Sequence, residues 1–276
     1  MTSWSDLLRP GDATDFFTRV SPWPAFDPTA AAFSEANALW LMELSRLVYR
    51  HDVEEDSPPP QPTRASFLQR AGLRQQAFFL DAATDTQAMI VEAIDRSYAV
   101  LVFRGTEDVR DFIQDLKAAS EPVHGRGARV HDGFEECFAS VWPAIDAALK
   151  TGAQPVFYTG HSLGAALATR AALERPPRAL YTFGSPRVGN TAFVSAVNAA
   201  TVAFRIVDDR DLVTKVPLES MGYAHAGVRV PLSASWTSWL AVPPFQPPKR
   251  LADHAPVNYI DRMATAAPEI VRPPAI

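Results

Sequence analysis

Apolar positions along the chain repeat at two different spacings, which indicates that helices and strands both contribute to the fold. A helical spacing runs through residues 29–49, 135–149 and 257–267. The inward face of the first segment is Ala36, Leu39, Trp40, Leu44, Leu47 and Val48, and that of the second is Phe138, Val141, Trp142, Ile145 and Leu149. Both segments are therefore predicted to be amphipathic helices that pack on a core.

Short apolar runs bounded by turn residues indicate strands. The predicted strands are residues 73–80, 88–93, 98–104, 156–159, 179–183, 203–207 and 227–231. The second and third are expected to form a hairpin, and the third is continuously apolar, as in a sheet that is buried on both faces. Because strands and helices alternate, we predict an α/β fold with a mostly parallel central sheet and helices on both faces.

Two proline-rich segments interrupt this pattern. Residues 52–64 are acidic and then proline-rich, which predicts a loop, and residues 232–253 combine proline with tryptophan without a clear period. No internal repeat is present, and a chain of 276 residues can bury one large core. We therefore interpret residues 1–276 as a single domain, with residues 232–253 as a flap.

A glycine-flanked serine follows the strand at 156–159 and precedes an alanine-rich, helix-forming run. These residues are Gly160, His161, Ser162, Leu163 and Gly164, the Gly-x-Ser-x-Gly pattern of a nucleophile elbow. A sharp turn there exposes Ser162 at the carboxyl edge of the sheet, and the N–H of Leu163 is expected to face a developing oxyanion. The alternative is a loop in which Ser162 only caps the following helix.

A serine nucleophile needs a histidine base and a carboxylate that orients the base, and in this context both follow the serine in the chain. Only His225 and His254 follow Ser162. We prefer His254, because it lies on a loop before the last helix, whereas His225 adjoins a predicted strand. The carboxylates that follow the strand at 203–207 are Asp208, Asp209 and Asp211. The pattern alone does not choose among them, and at least two are expected to belong to a solvated turn.

Composition removes several other classes of protein. A net charge of −5 does not suit a nucleic-acid-binding protein, which carries a basic excess. The single Cys137 excludes an intrachain disulfide and a cysteine zinc site, and no metal or cofactor is expected. The first residues lack the regions of a signal peptide, and no 18-residue apolar run is present. We therefore expect a cytoplasmic protein by default, with secretion by another route and the oligomeric state left open.

A series of motifs resembles, in order, those of the class 3 lipases, the fungal-type triacylglycerol lipases of the α/β-hydrolase superfamily. The resemblance extends from about residue 39 to the last helix. It rests on residues 102–106 (Val-Phe-Arg-Gly-Thr), 111–116, 130–134 (Val-His-Asp-Gly-Phe), 160–164, 182–190 (Thr-Phe-Gly-Ser-Pro-Arg-Val-Gly-Asn), 211–217, and Asp253-His254 with Tyr259. It implies an α/β-hydrolase fold and a carboxylic ester hydrolase, with triacylglycerol lipase as the first interpretation.

The same resemblance implies a role for each candidate side chain. Ser162 is the nucleophile, His254 is the general base, and Asp211 is the carboxylate that orients the base. The oxyanion hole combines the N–H groups of Leu163 and Thr106, with the Thr106 hydroxyl as a candidate additional donor.

Four neighbouring side chains are interpreted as structural. His161 is expected to pack under the elbow, and His131 is expected to be a half-buried histidine with no part in proton transfer. Arg104 and Arg187 are expected to tie loops to carboxylates, with Asp115 as a candidate partner.

Two segments, a candidate lid and the flap, indicate the class of substrate. Residues 107–116 correspond to the lid of the family, and Val109, Phe112 and Ile113 fall at a helical spacing that suits the cover of an acyl groove. An ordinary amphipathic surface helix is the alternative.

The flap contains the large apolar side chains Trp236, Trp239 and Phe245. We expect them to line the acyl site or to contact a lipid surface, the alternative being a segment that packs on the domain's own core.

The expected partner is therefore a lipid or ester substrate, either dissolved or at a lipid–water interface. The alternatives with the same triad are a phospholipase A1, a feruloyl-type esterase and an acyltransferase. A non-catalytic lipid-binding protein is a further alternative, and the intact set of Ser162, Asp211 and His254 argues against it.

Overall fold

A computed structural model of the protein describes residues 2–51, 61–118, 127–232 and 247–266. The strands of its main sheet are β1 (Leu73–Asp81), β2 (Thr86–Ala93), β3 (Ala99–Phe103), β4 (Val156–His161), β5 (Ala179–Phe183), β7 (Ala203–Val207) and β9 (Val228–Pro231). They lie in the order β1-β2-β3-β4-β5-β7-β9, antiparallel over the first three strands and parallel from β3 onward. Two short strands, β6 (Gly189–Asn190) and β8 (Tyr223–Ala224), pair separately. The predicted hairpin and the mostly parallel sheet are confirmed.

Helices cover both faces of this sheet. They are α1 (Trp4–Leu8), α2 (Glu35–Leu47), α3 (Arg64–Arg70), α4 (Val109–Ala118), α5 (Asp132–Leu149), α6 (Leu163–Glu174), α7 (Thr191–Ala200), α8 (Lys249–Ala252) and α9 (Pro256–Ala266). Because side chains alternate across a strand, Val100 and Val102 of β3 share a core with α2 and α9, whereas Leu101 and Phe103 share a core with α5, α6 and α7. Both faces of β3 are therefore buried, as its apolar sequence predicts.

Helix α2 differs from its prediction in length and in burial. It begins at Glu35, capped by the Ser34 side chain, whereas the helical pattern started at residue 29. It is buried on every side and not along one stripe, because the N-terminal segment covers its outer face. Glu43 and Arg46 lie on that covered side, bonded to each other at 2.8 Å, and the Phe16 ring lies 4.4 Å from the Arg46 guanidinium carbon.

The predicted segments between the regular elements agree only in part. Residues 52–60 of the proline-rich loop and residues 233–246 of the flap, with Trp236, Trp239 and Phe245, lie outside the described residues. At the end of each segment the structure forms a helix that the sequence did not predict, α3 and α8. The candidate lid is helix α4, which extends two residues beyond the predicted 107–116. No helix within the described ranges is long and apolar enough to cross a bilayer.

Candidate active site

Ser162 occupies a strained turn between β4 and α6. Its φ of 59° and ψ of −126° belong to a region that non-glycine residues rarely adopt, at a cost of about 1–3 kcal/mol. The two flanking glycines allow the turn, since a Cβ on Gly160 would lie 2.3 Å from the Gly164 backbone and one on Gly164 would lie 2.2 Å from the Phe103 carbonyl oxygen. The Ser162 side chain makes no capping hydrogen bond to α6. The turn therefore has the geometry of a nucleophile elbow and not of a serine-capped helix.

His254 and Asp211 form a buried pair. His254 Nδ1 lies 2.8 Å from Asp211 Oδ2, and neither side chain is exposed to solvent. Tyr259 donates its hydroxyl to the same oxygen at 2.7 Å, and the Val213 N–H donates to Oδ1 at 2.8 Å. A carboxylate that accepts three hydrogen bonds cannot rotate, and it requires the proton of neutral His254 to lie on Nδ1. The Nε2 atom of His254 is therefore a proton acceptor.

The remaining polar atoms of the site are Ser162 Oγ and His254 Nε2. Both atoms are buried, and neither has a hydrogen-bond partner among the described residues. The ring of His161, which precedes Ser162, lies 4.4 Å from the His254 ring. The segments that carry Ser162 and His254 are therefore in contact. Gly184 closes the other side, since a Cβ there would lie 2.9 Å from Asp211 Oδ2 and 3.1 Å from His254 Cε1. The site thus contains one proton donor, the Ser162 hydroxyl, and one proton acceptor, His254 Nε2, both buried and without a partner among the described residues.

The three candidate carboxylates after β7 have separate environments. Asp209 is exposed, and its hydrogen bond with Arg229 lowers its pKa, as expected of a solvated turn. Asp208 is buried, which corrects the expectation that the other two both belong to a solvated turn. Its carbonyl oxygen accepts the Asp211 N–H at 3.1 Å, and Arg262 of α9 pairs with its carboxylate. No local pattern indicates the burial of Asp208, because its partner Arg262 lies 54 positions further along the chain.

His225, the alternative candidate for the base, and His131 both have structural environments. His225 Nε2 lies 3.0 Å from the Thr214 carbonyl oxygen, and burial together with the charge of Arg205 lowers the pKa of His225 to about 3. His131 accepts the Gly133 N–H at 3.2 Å and caps α5, and burial lowers its pKa. Neither histidine is bonded to Asp211 or Ser162.

The segment that carries Thr106 lies directly against the elbow. A Cβ on Gly105 would lie 3.2 Å from the Ser162 Cβ and 2.6 Å from the His161 carbonyl oxygen. Thr106 is half-buried, and its hydroxyl accepts the Asp108 N–H at 3.1 Å. Leu163 is the first residue of α6, so its N–H belongs to the unpaired first turn of that helix.

Arg104 and Arg187 both tie loops together, as expected, but Asp115 is a partner of neither. Arg104 pairs with Asp85 at 2.5 Å, and Arg187 pairs with Glu219 at 2.8 Å. Asp115 lies on the exposed side of α4, where neither arginine reaches it. The expectation for Asp115 is wrong, because helical spacing cannot reveal which loop folds over each arginine.

Helix α4 packs in an apolar cluster beside the site. Val109 and Ile113 are buried in an apolar cluster with Leu7 of α1, Val213, Leu251 and Ala255. Val213 and Ala255 are close neighbours in sequence of Asp211 and His254, so the cluster lies against both. Phe112 is half-buried, its ring 6.2 Å from that of Phe134, while Asp108, Arg110 and Asp111 are exposed. Helix α4 also contacts α1 through a cation–π pair, since the Arg110 guanidinium carbon lies 4.4 Å from the centre of the Trp4 ring.

Comparisons with known proteins agree with this geometry. The class 3 lipase family matches residues 100–221. The lipase of Rhizopus oryzae is 35% identical over 170 residues, which cover 54% of this chain and 42% of that protein. The secreted mono- and diacylglycerol lipase A of Penicillium camembertii is 38% identical over 153 residues, which cover 51% of this chain and 50% of that protein. The chain thus spans half or less of the length of these curated relatives.

Solved structures extend the likeness over more of the chain. A Penicillium cyclopium structure of an MDLA mutant matches with a TM-score of 0.61 and 27% identity, over 77% of this chain and 85% of that one. A triacylglycerol lipase whose catalytic centre is described as a serine protease triad matches with a TM-score of 0.61 and 28% identity, over 74% of this chain and 83% of that one. The fold is that of the α/β-hydrolases, as predicted. The expectation of a cytoplasmic protein is wrong, because relatives of this chain are named secreted lipases.

The low pKa of His225 predicts a pH effect on stability and not on catalysis. The unfolded chain binds a proton at His225 below about pH 6.5, whereas the folded chain resists protonation down to about pH 3. The contribution of neutral His225 to the free energy of unfolding is therefore fully present above about pH 6.5. It decreases by about 1.4 kcal/mol per pH unit as the pH falls from about 6.5 to about 3.

His225→Gln removes that titration and keeps an N–H donor for the Thr214 carbonyl. We expect the free energy of unfolding, measured by urea denaturation at pH 7 and pH 4.5, to fall less in the variant than in the wild type. Equal losses in both proteins would show that His225 is not held neutral.

Proposed function

We propose that the chain is a class 3 lipase, the family whose model matches residues 100–221, and that it hydrolyses the carboxylic esters of acylglycerols. Ser162 is the nucleophile, His254 is the general base, and Asp211 orients the base. The observation that carries this proposal is the hydrogen bond between His254 Nδ1 and the buried Asp211 carboxylate, which leaves Nε2 free to accept a proton. The strained turn at Ser162 supplies the hydroxyl.

Each step follows from these atoms. His254 Nε2 takes the hydroxyl proton as Ser162 Oγ attacks the ester carbonyl carbon, and Asp211 stabilises the imidazolium that forms. The imidazolium then donates its proton to the departing alcohol, which leaves an acyl-enzyme. Water repeats the sequence and releases a carboxylic acid. Hydrogen bonds of this kind are often long before substrate binds and tighten in the complex, so their absence in the free protein is compatible with the mechanism.

The tetrahedral intermediate carries a negative oxygen, which needs fixed donors. The N–H of Leu163 supports such a role because it lies in the unpaired first turn of α6, next to Ser162. The backbone N–H of Thr106 is the second donor, on the segment that packs against the elbow. The Thr106 hydroxyl already accepts a bond from Asp108, and this contact orients the loop.

Relatives named lipase, and mono- and diacylglycerol lipase, support acylglycerols as the substrate class. The names of the secreted relatives also support action outside the cell. An acyl chain is apolar, and each large apolar side chain that buries against it contributes roughly 1.5–3 kcal/mol. The apolar face of α4, with Val109, Phe112 and Ile113, is the described surface that suits this contact.

Helix α4 is proposed to act as a lid at residues 107–116. Ser162 and His254 have no exposed surface, so an ester reaches them only after a covering segment moves, and α4 is the segment proposed to move. Movement exposes the apolar cluster of α4 to solvent, and a lipid surface offsets that cost. We therefore propose that a lipid–water interface favours the open state. The flap residues Trp236 and Trp239 are proposed to contact the same acyl chain or surface.

Removal of any one of the three proposed catalytic side chains tests the proposed function directly. We expect Ser162→Ala, His254→Ala and Asp211→Asn each to lower kcat for emulsified triacylglycerol by at least about 10³-fold. The matched control is Asp209→Asn, which changes an exposed carboxylate of the same loop and should stay within about tenfold of wild type.

The substrate panel for these variants contains triacylglycerol, phospholipid and a feruloyl ester. A wild-type preference for phospholipid would indicate a phospholipase A1 instead, and a folded wild type without ester hydrolysis would indicate a lipid-binding protein. Full activity in Ser162→Ala would overturn the assignment of the nucleophile.

Leu7→Ala tests the lid from outside the catalytic residues. Leu7 is buried in the cluster that holds α4 closed, and a shift of only about 1.4 kcal/mol in the closure equilibrium is tenfold in the open population. We expect the rate on dissolved p-nitrophenyl butyrate to rise about tenfold, while the rate on emulsified triacylglycerol changes little. Leu218→Ala, the same change at an exposed position, is the matched control. An unchanged rate on the dissolved ester in a folded Leu7→Ala would contradict the lid.

A further inference from the structure

Three elements meet under the elbow through two side chains outside the triad. We infer that Tyr49 and His161 form a positioning chain that holds the backbone of His254 and the oxyanion loop in register. The inference rests on the proposed function. His161 Nε2 lies 2.8 Å from the carbonyl oxygen of His254, and the Tyr49 hydroxyl lies 3.4 Å from His161 Nδ1. Tyr49, His161 and His254 are all buried.

Valence determines which atom donates along this chain. The carbonyl oxygen of His254 can only accept, so His161 Nε2 must carry the proton and donate it. A neutral imidazole then has an acceptor at Nδ1, and the Tyr49 hydroxyl donates to it. The Tyr49 oxygen keeps lone pairs, and the backbone N–H of Gly105 interacts with it. The chain therefore runs in one direction, from the oxyanion loop through Tyr49 and His161 to His254.

The environment keeps His161 in the required neutral form. Burial, followed by the neighbouring His254 imidazole, lowers the pKa of His161 well below its ordinary value. Burial also raises the pKa of the Tyr49 phenol, so its hydroxyl remains protonated. A neutral His161 can lie 4.4 Å from the His254 ring without opposing the positive charge that His254 gains during the reaction.

Packing fixes both ends of the chain. Tyr49 follows helix α2, which is buried from Asn37 to Leu47, and the Tyr49 backbone lies against Gly11, where a Cβ would come within 2.4 Å of it. At the other end, a Cβ on Gly105 would lie 2.1 Å from the Tyr49 hydroxyl, so the loop before Thr106 has no room to shift toward α2. A displacement of one end is therefore transmitted to the other.

The chain complements the Asp211 contact. Asp211 fixes the imidazole of His254 through Nδ1, and His161 fixes the backbone of the same residue through its carbonyl oxygen. Two anchors on opposite sides of the Cα atom define where Nε2 points. Tyr49 and His161 touch neither the nucleophile's oxygen nor the proton that moves, so both are positioning residues.

Three substitutions test the chain. His161→Leu removes the donor to the His254 carbonyl, Tyr49→Phe removes only one oxygen, and His161→Gln restores an N–H donor of similar reach. We expect His161→Leu to lower kcat on p-nitrophenyl butyrate about tenfold to a hundredfold, since small displacements of reacting groups have effects of this size. KM should remain within about twofold, because ground-state binding is untouched. Tyr49→Phe should show a smaller loss of the same kind, and His161→Gln should recover part of kcat.

Tyr181→Phe is the matched control, because it removes one hydroxyl of an equally buried tyrosine, whose single hydrogen bond within the described ranges comes from the Ser34 N–H. It should keep wild-type kcat, and a loss equal to that of Tyr49→Phe would overturn the inference. Wild-type kcat in folded His161→Leu, or in Tyr49→Phe should the former not fold, would also overturn it. Ser162→Ala separates the two proposals: if that variant is inactive while the chain variants are fully active, only the positioning chain fails.

Discussion

The site depends on one buried polar contact, the hydrogen bond between the Asp211 carboxylate and His254. A carboxylate without solvent exposure is costly unless its oxygens are all engaged, and Tyr259 and Val213 supply the remaining donors. These donors come from α9 and from the turn after β7, so the contact holds the C-terminal helix against the sheet edge. The same contact fixes the tautomer of His254 and so decides which nitrogen accepts a proton. Stability and chemistry thus share one set of atoms.

The parallel sheet explains why these atoms meet. Strands β4, β5 and β7 end at the same edge, and each is followed by a residue of the site: Ser162, Gly184 and Asp208 with the turn to Asp211. Val109 and Ile113 of α4 are buried beside this edge in a cluster with Val213 and Ala255, which closely follow Asp211 and His254 in the chain. Because Asp211 and His254 have no solvent exposure, the low local dielectric strengthens the electrostatic contact between them.

Local patterns predicted the parts of the molecule that local physics controls. The strands at 179–183 and 203–207 and the turn at Ser162 followed from apolar runs and glycine spacing, because burial and backbone geometry act within a few residues. His254 followed from its position before the last helix. The choice of Asp211 over its neighbours came from resemblance alone. The burial of Asp208, the Tyr49–His161 contact and the burial of α2 on its outer face could not be predicted, because each depends on a partner that is distant in sequence.

The central claim is that Ser162 is the hydroxyl that His254 activates. It is tested most directly by reaction with a fluorophosphonate, which phosphonylates an activated serine. The protein is labelled in the presence of detergent, and its peptides are then analysed by mass spectrometry. The account predicts one adduct, on the peptide that contains Ser162, and its loss in His254→Ala although the serine is still present. An adduct on another serine, or undiminished labelling of Ser162 in His254→Ala, would contradict the account.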